Sequence, residues 1–312
     1  MIFNPAAGWF PSGVLSERAA NILRQYDWEI TISPTRSGEH ITTLARQAAE
    51  RGDEAFFVVG GDGTMSYASR GLLGSDTALG VLPGGTGNVF VQELGMPYVG
   101  LSRRAAVEEC ARLLAQAPAR RVDVGMLGGA SFVLWGGVGL DAFAIRHIEP
   151  RGRWNKYFNA ISFTASTIFY ASFWHGMNVR AFADGKKVEG HYLIAVMSNI
   201  HLYVGGMAEL SPSALLDDGR MDLWLFEGDT LGDAIRCVLE VLAEQHLESP
   251  IAHCIPYSSL YLEADTPLFV QVDAEPVEYQ GNTIEVGIQR QALKVLMPSK
   301  PPRQLFMENN PV

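Results

Sequence analysis

An α/β domain followed by an antiparallel β-sandwich-like domain is the fold class this sequence predicts, on three observations. Up to Pro118, short apolar runs alternate with amphipathic stretches of helical period, the pattern of a parallel sheet covered by helices. Beyond Pro118, strand patterns separated by Gly and Pro turns predominate. Two of the early apolar runs, residues 55–59 and 79–82, also lead straight into glycine loops, Gly60-Gly61-Asp62-Gly63-Thr64 and Pro83-Gly84-Gly85-Thr86-Gly87-Asn88. The expected domains are residues 1–120 and 121–297, with the tail 298–312 returning to the first.

The 312 residues suffice for two domains with sizeable cores, and 47% apolar with 19% charged residues is an ordinary globular composition. A net charge of −10 excludes a general nucleic-acid binder, which carries a basic face. It also argues against strong electrostatic adhesion to anionic membranes. Cys110, Cys237 and Cys254 lie far apart, so neither a disulfide framework nor a structural zinc site is expected, and a reducing cytoplasm fits. Met1 is followed by no basic or apolar leader, so no signal peptide is expected.

Taken in order, the first strand begins near Met1 and leaves through Asn4-Pro5-Ala6-Ala7-Gly8, a turn built from residues that end ladders. Residues 15–26 read as a helix and 28–32 as a strand. Ile41, Leu44, Ala45, Ala48 and Ala49 share one helix face that Gly52 closes, with Thr35 or Ser37 as cap. Residues 102–117 form another amphipathic helix stopped by Pro118. Strands follow at 122–127, 131–139, 177–183, 188–198, 221–226, 254–262, 268–272, 283–288 and 292–296, with Asp184-Gly185 as a hairpin turn. Residues 158–174 are the most apolar segment but fall short of a membrane span and carry Asn, Ser and Thr. A core helix is the plain reading; a helix lining an acyl pocket or docking shallowly on a bilayer is the sharper one.

A strand, a glycine loop and a helix N-terminus together suit a phosphate, because backbone N–H groups can approach it without Cβ interference. Asp62 fits such a loop if a cation lies between it and the phosphates, as Mg²⁺-nucleotide supplies. A ligand-free Gly-Asp-Gly turn explains one loop equally well; two successive loops at the carboxyl edge of one parallel sheet shift the balance towards a ligand.

Asn4-Pro5-X-X-Gly8, the Gly60–Thr64 loop and Leu82-Pro83-X-Gly-Thr-X-Asn88 together resemble the diacylglycerol kinase catalytic family, which includes bacterial lipid kinases and sphingosine kinases. The resemblance runs from residue 2 to about 297, through Gly137-Val138-Gly139-Leu140-Asp141 and Asn199 with Gly205-Gly206. It implies ATP and Mg²⁺, with Asn4, Pro5, Gly8, Thr35, Gly60, Gly61, Asp62, Gly63, Thr64, Gly84, Gly85, Thr86 and Asn88 around the nucleotide. It makes Asp273 the general base, assisted by Glu275, where the family has Asp-Gly-Glu. It places a structural Mg²⁺ on Asp218 and the carbonyls near Leu215 and Arg220. Read without it, Val270-Gln271-Val272-Asp273-Ala274-Glu275 is an acidic turn at a strand tip, and Asp217-Asp218-Gly219 is a hairpin turn. The resemblance also implies a lipid substrate at a membrane surface, a cytoplasmic or membrane-peripheral location, and no transmembrane segment or nucleic-acid partner; it allows a homodimer.

This chain departs from the family at Glu39 (usually Asp), Ser66 and Tyr67 (usually Asn-Glu), Val89 (usually Asp) and Ala274 (usually Gly). Two alternatives stay open: an NAD kinase-like enzyme, which shares the first loop and the two-domain plan, and, motivated by these departures, a non-catalytic protein of kinase fold that binds nucleotide or lipid.

Overall fold

The computed structural model describes residues 1–5, 11–98, 105–148 and 160–307, and divides the chain into two units, Met1–Val122 with Gln291–Val312, and Asp123–Arg290. The first unit opens with β1 (Ile2–Phe3), α1 (Ser12–Arg24), β2 (Ser33–Pro34), α2 (Gly38–Arg51), β3 (Ala55–Gly60) and α3 (Asp62–Leu72). It continues with β4 (Ala78–Pro83), α4 (Val89–Glu93) and α5 (Ala106–Ala115). The strands lie in the order β2-β1-β3-β4, all parallel. Phe56 to Gly60 and all of β4 are buried, as continuous apolar runs in a covered parallel sheet should be. Ser37 caps α2 by accepting from the His40 N–H, and Gly52 ends it in the left-handed conformation at φ 75°. Helices α2 and α3 cross at Gly71, where a Cβ would meet the Thr42 carbonyl oxygen at 2.4 Å.

The strand expected at 28–32 is instead the two-residue β2 further on. Trp28 turns out of any ladder to pack edge-on against Phe57 at 5.3 Å, its indole N–H donating to the Ala115 carbonyl. The helix expected at 102–117 is α5, its first residues falling outside the described ones.

The second unit takes up β5 (Ala119–Leu127) part-way. It then holds β6 (Ala130–Phe132), β7 (Trp135–Gly139), α6 (Leu140–Ile148), α7 (Ala160–Ala171), β8 (Met177–Ala183), β9 (Lys186–Ser198), β10 (Leu202–Tyr203) and β11 (Ala208–Glu209). After these come β12 (Met221–Glu227), α8 (Leu231–Leu242), β13 (Ala252–Tyr257), β14 (Leu260–Ala264), β15 (Val270–Val272), β16 (Glu275–Val277) and β17 (Thr283–Leu296). Strand order here is β16-β15-β7-β9-β8-β14-β17, with β12 also on β9 and β13 outside it, and the pairs are antiparallel. The last residues of β17 belong to the first unit, where Val295 lies parallel beside Leu79.

Four sequence expectations need correction. The run 254–262 is two strands, because the Asp184 carboxylate takes the N–H groups of Ser258 and Ser259 and turns the chain between them. The runs 283–288 and 292–296 are one strand, bent at Gln291 with φ 49°. The run 131–139 is interrupted at Val133 and Leu134, whose N–H groups leave the ladder for Asp273. Helices α6 and α8 stand where only strands and turns were expected. The start of α8 was legible in Thr230-X-X-Asp233, a capping box that the structure forms in both directions. No helix among the described residues is long and apolar enough to cross a membrane.

Candidate functional site

The two glycine loops of the first unit are locked to each other. Strands β3 and β4 run parallel in register to Gly60 beside Pro83, and the Gly84 N–H then donates to the Gly60 carbonyl at 2.9 Å. A Cβ on Gly84 would lie 2.9 Å from the Gly60 nitrogen, and one on Gly85 would lie 2.4 Å from the Gly61 Cα. A Cβ on Gly60 would strike the Thr64 hydroxyl at 2.5 Å, and Thr64 is buried. None of Gly60, Gly61, Gly63, Gly84 and Gly85 takes a positive φ. At Gly61, Gly84 and Gly85 glycine serves close approach of two backbones, and at Gly60 close approach of the Thr64 side chain, not the left-handed conformation that sequence reasoning also allowed.

The left-handed residue is Asn88, at φ 54°. Its side chain accepts from the Gly85 N–H and donates to the Gly85 carbonyl, both at 2.9 Å, which fixes the second loop from within. Asp62 opens α3 and accepts from the Phe90 N–H of α4 at 3.1 Å, with Gly87 leaving room beside its other oxygen. Burial raises the Asp62 carboxyl above the ordinary range, and backbone N–H groups led by that of Phe90 pull it back in part. Asp62 thus has a partner within the protein, whether or not a cation is also bound. Thr35, buried, directs its hydroxyl and its N–H to the Phe3 carbonyl, and the Asn4 carbonyl accepts from the Ser12 hydroxyl at 2.6 Å. Pro5 lies exposed at the turn leaving β1, Thr86 is half-buried, and Gly8 is outside the described residues.

In the second unit, Val272 pairs with Glu275, so Asp273 and Ala274 form a two-residue hairpin turn, at φ 49° and 63°. Asp273 is buried rather than displayed at a strand tip. One carboxylate oxygen accepts from the N–H groups of Leu134 and Trp135 at 2.9 and 3.2 Å, and the other from that of Val133 at 3.1 Å. Glu275 is half-buried at the start of β16. Beneath the turn, Gln271 donates to Asp141 at 2.8 Å and accepts from the Ala274 N–H at 2.9 Å. Sequence reading noted Asp141 only within a matching stretch and missed Gln271, which lies in β15 two residues before Asp273.

Asp218 accepts from the Arg220 N–H at 2.9 Å. Burial raises its carboxyl most, and Asp217 adds to the rise. Asp222 is likewise raised first by burial, with Asp218 contributing. Among the described residues no group of three His, Cys, Asp or Glu side chains is placed to hold a metal. A hard cation here would take one carboxylate and backbone carbonyls, and would offset the like-charge effect of Asp217 on Asp218 and of Asp218 on Asp222.

Residues 1–127 match the family model for the diacylglycerol kinase catalytic domain, and residues 136–297 match the model for the YegS C-terminal NAD kinase beta sandwich-like domain, which alone spans half the chain. The chain belongs to the diacylglycerol kinase and YegS-like lipid kinase family. The diacylglycerol kinase of Bacillus subtilis (strain 168) is 25% identical over 257 residues, 79% of each chain. A protein of Chromohalobacter salexigens named "Probable lipid kinase YegS-like" is 27% identical over 263 residues, 83% of this chain and 81% of that one. A crystal structure of a diacylglycerol kinase from Bacillus anthracis str. Sterne superposes with a TM-score of 0.72 at 20% identity, covering 96% of both chains, a likeness of fold. As a member of this family the chain is a kinase phosphotransferase acting on lipid, and its family implies use of ATP.

The family departures have physical settings in this chain. The Tyr67 ring lies over Gly38, where a Cβ would come within 2.4 Å, and the Arg70 guanidinium stacks on the ring at 4.7 Å. Tyr67 therefore joins α3 to the start of α2. Ser66 and Val89 are buried.

Asp141 carries a testable consequence. Burial raises its carboxyl to about 6, with Gln271 and backbone N–H groups opposing the shift. The folded state then holds this proton more tightly than the unfolded chain, whose value is 3.8. The stability this protonation contributes is present below pH 4 and is lost as pH rises through 6, a change of about 3 kcal/mol. Denaturant unfolding at pH 4.5 and 7.5 should show Asp141→Asn with a smaller loss on going to pH 7.5 than wild type. Equal losses in the two proteins would contradict this assignment.

Proposed function

We propose that the chain transfers the γ-phosphoryl group of ATP to the hydroxyl of a diacylglycerol or sphingoid-type lipid, with Mg²⁺. The observation that carries the nucleotide side is the pair of glycine loops joined backbone to backbone, with Asp62 at the start of α3 bonded to the Phe90 N–H of α4. Mg²⁺ held with the nucleotide would neutralise phosphate charge that builds during transfer, with Asp62 as its protein ligand. Leu215, Asp218 and Arg220 would hold the structural ion by the carbonyls and carboxylate named above. The proposed base is Asp273, with Glu275 assisting. Three backbone N–H donors fix the position and orientation of the Asp273 carboxylate.

A lipid acceptor at a membrane surface is supported by the α7 and α8 face. Phe169 and Phe173 are 60% and 62% exposed, and Leu231, Ile235, Leu239 and Leu242 repeat along α8 at helical spacing, also exposed. Helix α7 is anchored from behind, with Phe143 of α6 packing on Tyr170, Trp174 and Phe269. The 12 residues of α7 suit shallow docking rather than a span.

The test is transfer of labelled γ-phosphate into a panel of diacylglycerol, ceramide, sphingosine and NAD in mixed micelles, with sedimentation on phospholipid vesicles in parallel. Label in one of the lipids, by protein that sediments with the vesicles, is the expected result. Label in NAD alone would move the chain to the NAD kinase reading. ATP binding without any transfer would replace the catalytic reading with that of a nucleotide- or lipid-binding protein.

A further inference from the structure

The turn that carries Asp273 contains a conformational problem that this chain solves in its own way. Both turn residues are left-handed, the geometry of a hairpin turn that favours Asn-Gly or Asp-Gly. Aspartate tolerates that region; alanine does so only against the clash of its Cβ with the following carbonyl. Ala274 nonetheless stands there at φ 63°.

Gln271 supplies the missing restraint. Its side-chain oxygen accepts from the Ala274 N–H at 2.9 Å, an N–H that a two-residue turn leaves unused by the ladder. Which end of the Gln271 amide points that way is not arbitrary. Its NH₂ faces Asp141 at 2.8 Å, and an ionised carboxylate only accepts, so the amide oxygen must face the turn. Asp141 is held in turn by the N–H of Ala142 at 2.6 Å, where α6 begins. Gln271 and Asp141 are both buried, so the bond between them is closed to bulk water, while that to the Ala274 N–H is part-buried. Room for the pair exists because Gly137 lies opposite Gln271 in the β7–β15 ladder. A Cβ there would sit 2.1 Å from the Asp141 carboxylate and 2.4 Å from the Gln271 nitrogen.

We propose that Gln271, with its amide oriented by Asp141, is the positioning residue that holds the Asp273–Ala274 turn left-handed and thereby keeps the Asp273 carboxylate on the amides of Val133, Leu134 and Trp135. The inference rests on the reading of Asp273 as the base only for its catalytic consequence. The turn geometry itself is read by stability.

Gln271→Met keeps the length of the side chain and removes its amide. It should lower kcat for lipid phosphorylation about tenfold and leave KM for ATP within twofold. Ala274→Gly added to it should return kcat to within threefold of wild type, since glycine enters the left-handed region unaided. In denaturant unfolding, Gln271→Met should raise the unfolding equilibrium constant several-fold more in the native background than in the Ala274→Gly background. Should Gln271→Met fail to fold, Asp141→Asn replaces it: the amide can then turn over, and the same loss of kcat and the same rescue are expected. Wild-type kcat in Gln271→Met, or a loss that Ala274→Gly does not restore, overturns the proposal. If Asp273→Asn retains activity, the base reading fails instead, and equal unfolding effects in the two backgrounds would then sink the turn restraint on their own.

Discussion

Asp273→Asn should lower kcat for lipid phosphorylation at least a hundredfold while ATP affinity stays within a few-fold of wild type. The size follows from the role: loss of a positioned proton acceptor typically removes two to four orders of magnitude. The substitution also has a structural cost that must be measured beside it. The carboxylate accepts from three backbone N–H groups, and an amide offers only one oxygen. With that oxygen on the Leu134 and Trp135 side, the new NH₂ meets the Val133 N–H, donor against donor, in a buried site. Stability should fall by about 1–3 kcal/mol, the usual cost of an unsatisfied buried group. A folded variant that binds ATP and has lost turnover fits the base role. One that turns over at more than a tenth of the wild-type rate removes Asp273 from the chemistry, whatever its stability.

What could be read from the sequence was what neighbouring residues decide among themselves. The cap at Ser37, the left-handed Gly52 and the Asp184-Gly185 hairpin each depend on a few consecutive side chains, and each is present. The positions of the two glycine loops were legible for the same reason, but not their purpose. Nothing in Gly84-Gly85 announces that its closest neighbour is the backbone of Gly60-Gly61. The second unit was harder because its decisive bonds span long sequence separations. The amides that enclose Asp273 come from residues nearly 140 positions earlier, and they also break the strand expected through 131–139. Gln271 read as one polar residue in an alternating strand; only pairing with Gly137 and Asp141 shows it as a buried restraint. Helix α8 was legible and was missed: Leu231, Ile235, Leu239 and Leu242 repeat at helical spacing behind the Thr230–Asp233 capping box, although the face they form is exposed.

The second large effect concerns the first unit, where Gly85→Ala should abolish detectable ATP binding and destabilise the protein by about 3 kcal/mol, the upper range for overpacking. The added methyl would stand 2.4 Å from the Gly61 Cα and 2.9 Å from its nitrogen, both backbone atoms that cannot swing aside as a side chain would. One loop must move, and the Gly84 N–H to Gly60 carbonyl bond and the Asn88 clamp on Gly85 move with it. Gly87→Ala provides the control on the same loop. Its Cβ would meet one Asp62 carboxylate oxygen at 3.1 Å and Val89 Cγ2 at an ordinary 3.8 Å, so a shift of a few tenths of an ångström accommodates it. Calorimetric ATP titration and denaturant unfolding of the two variants separate the explanations. A large effect at Gly85 with a small one at Gly87 means that the two loops act as one rigid cradle. Equal ATP affinity in Gly85→Ala and wild type would mean that the nucleotide does not depend on the second loop, and the proposed site would have to be drawn on the first loop alone.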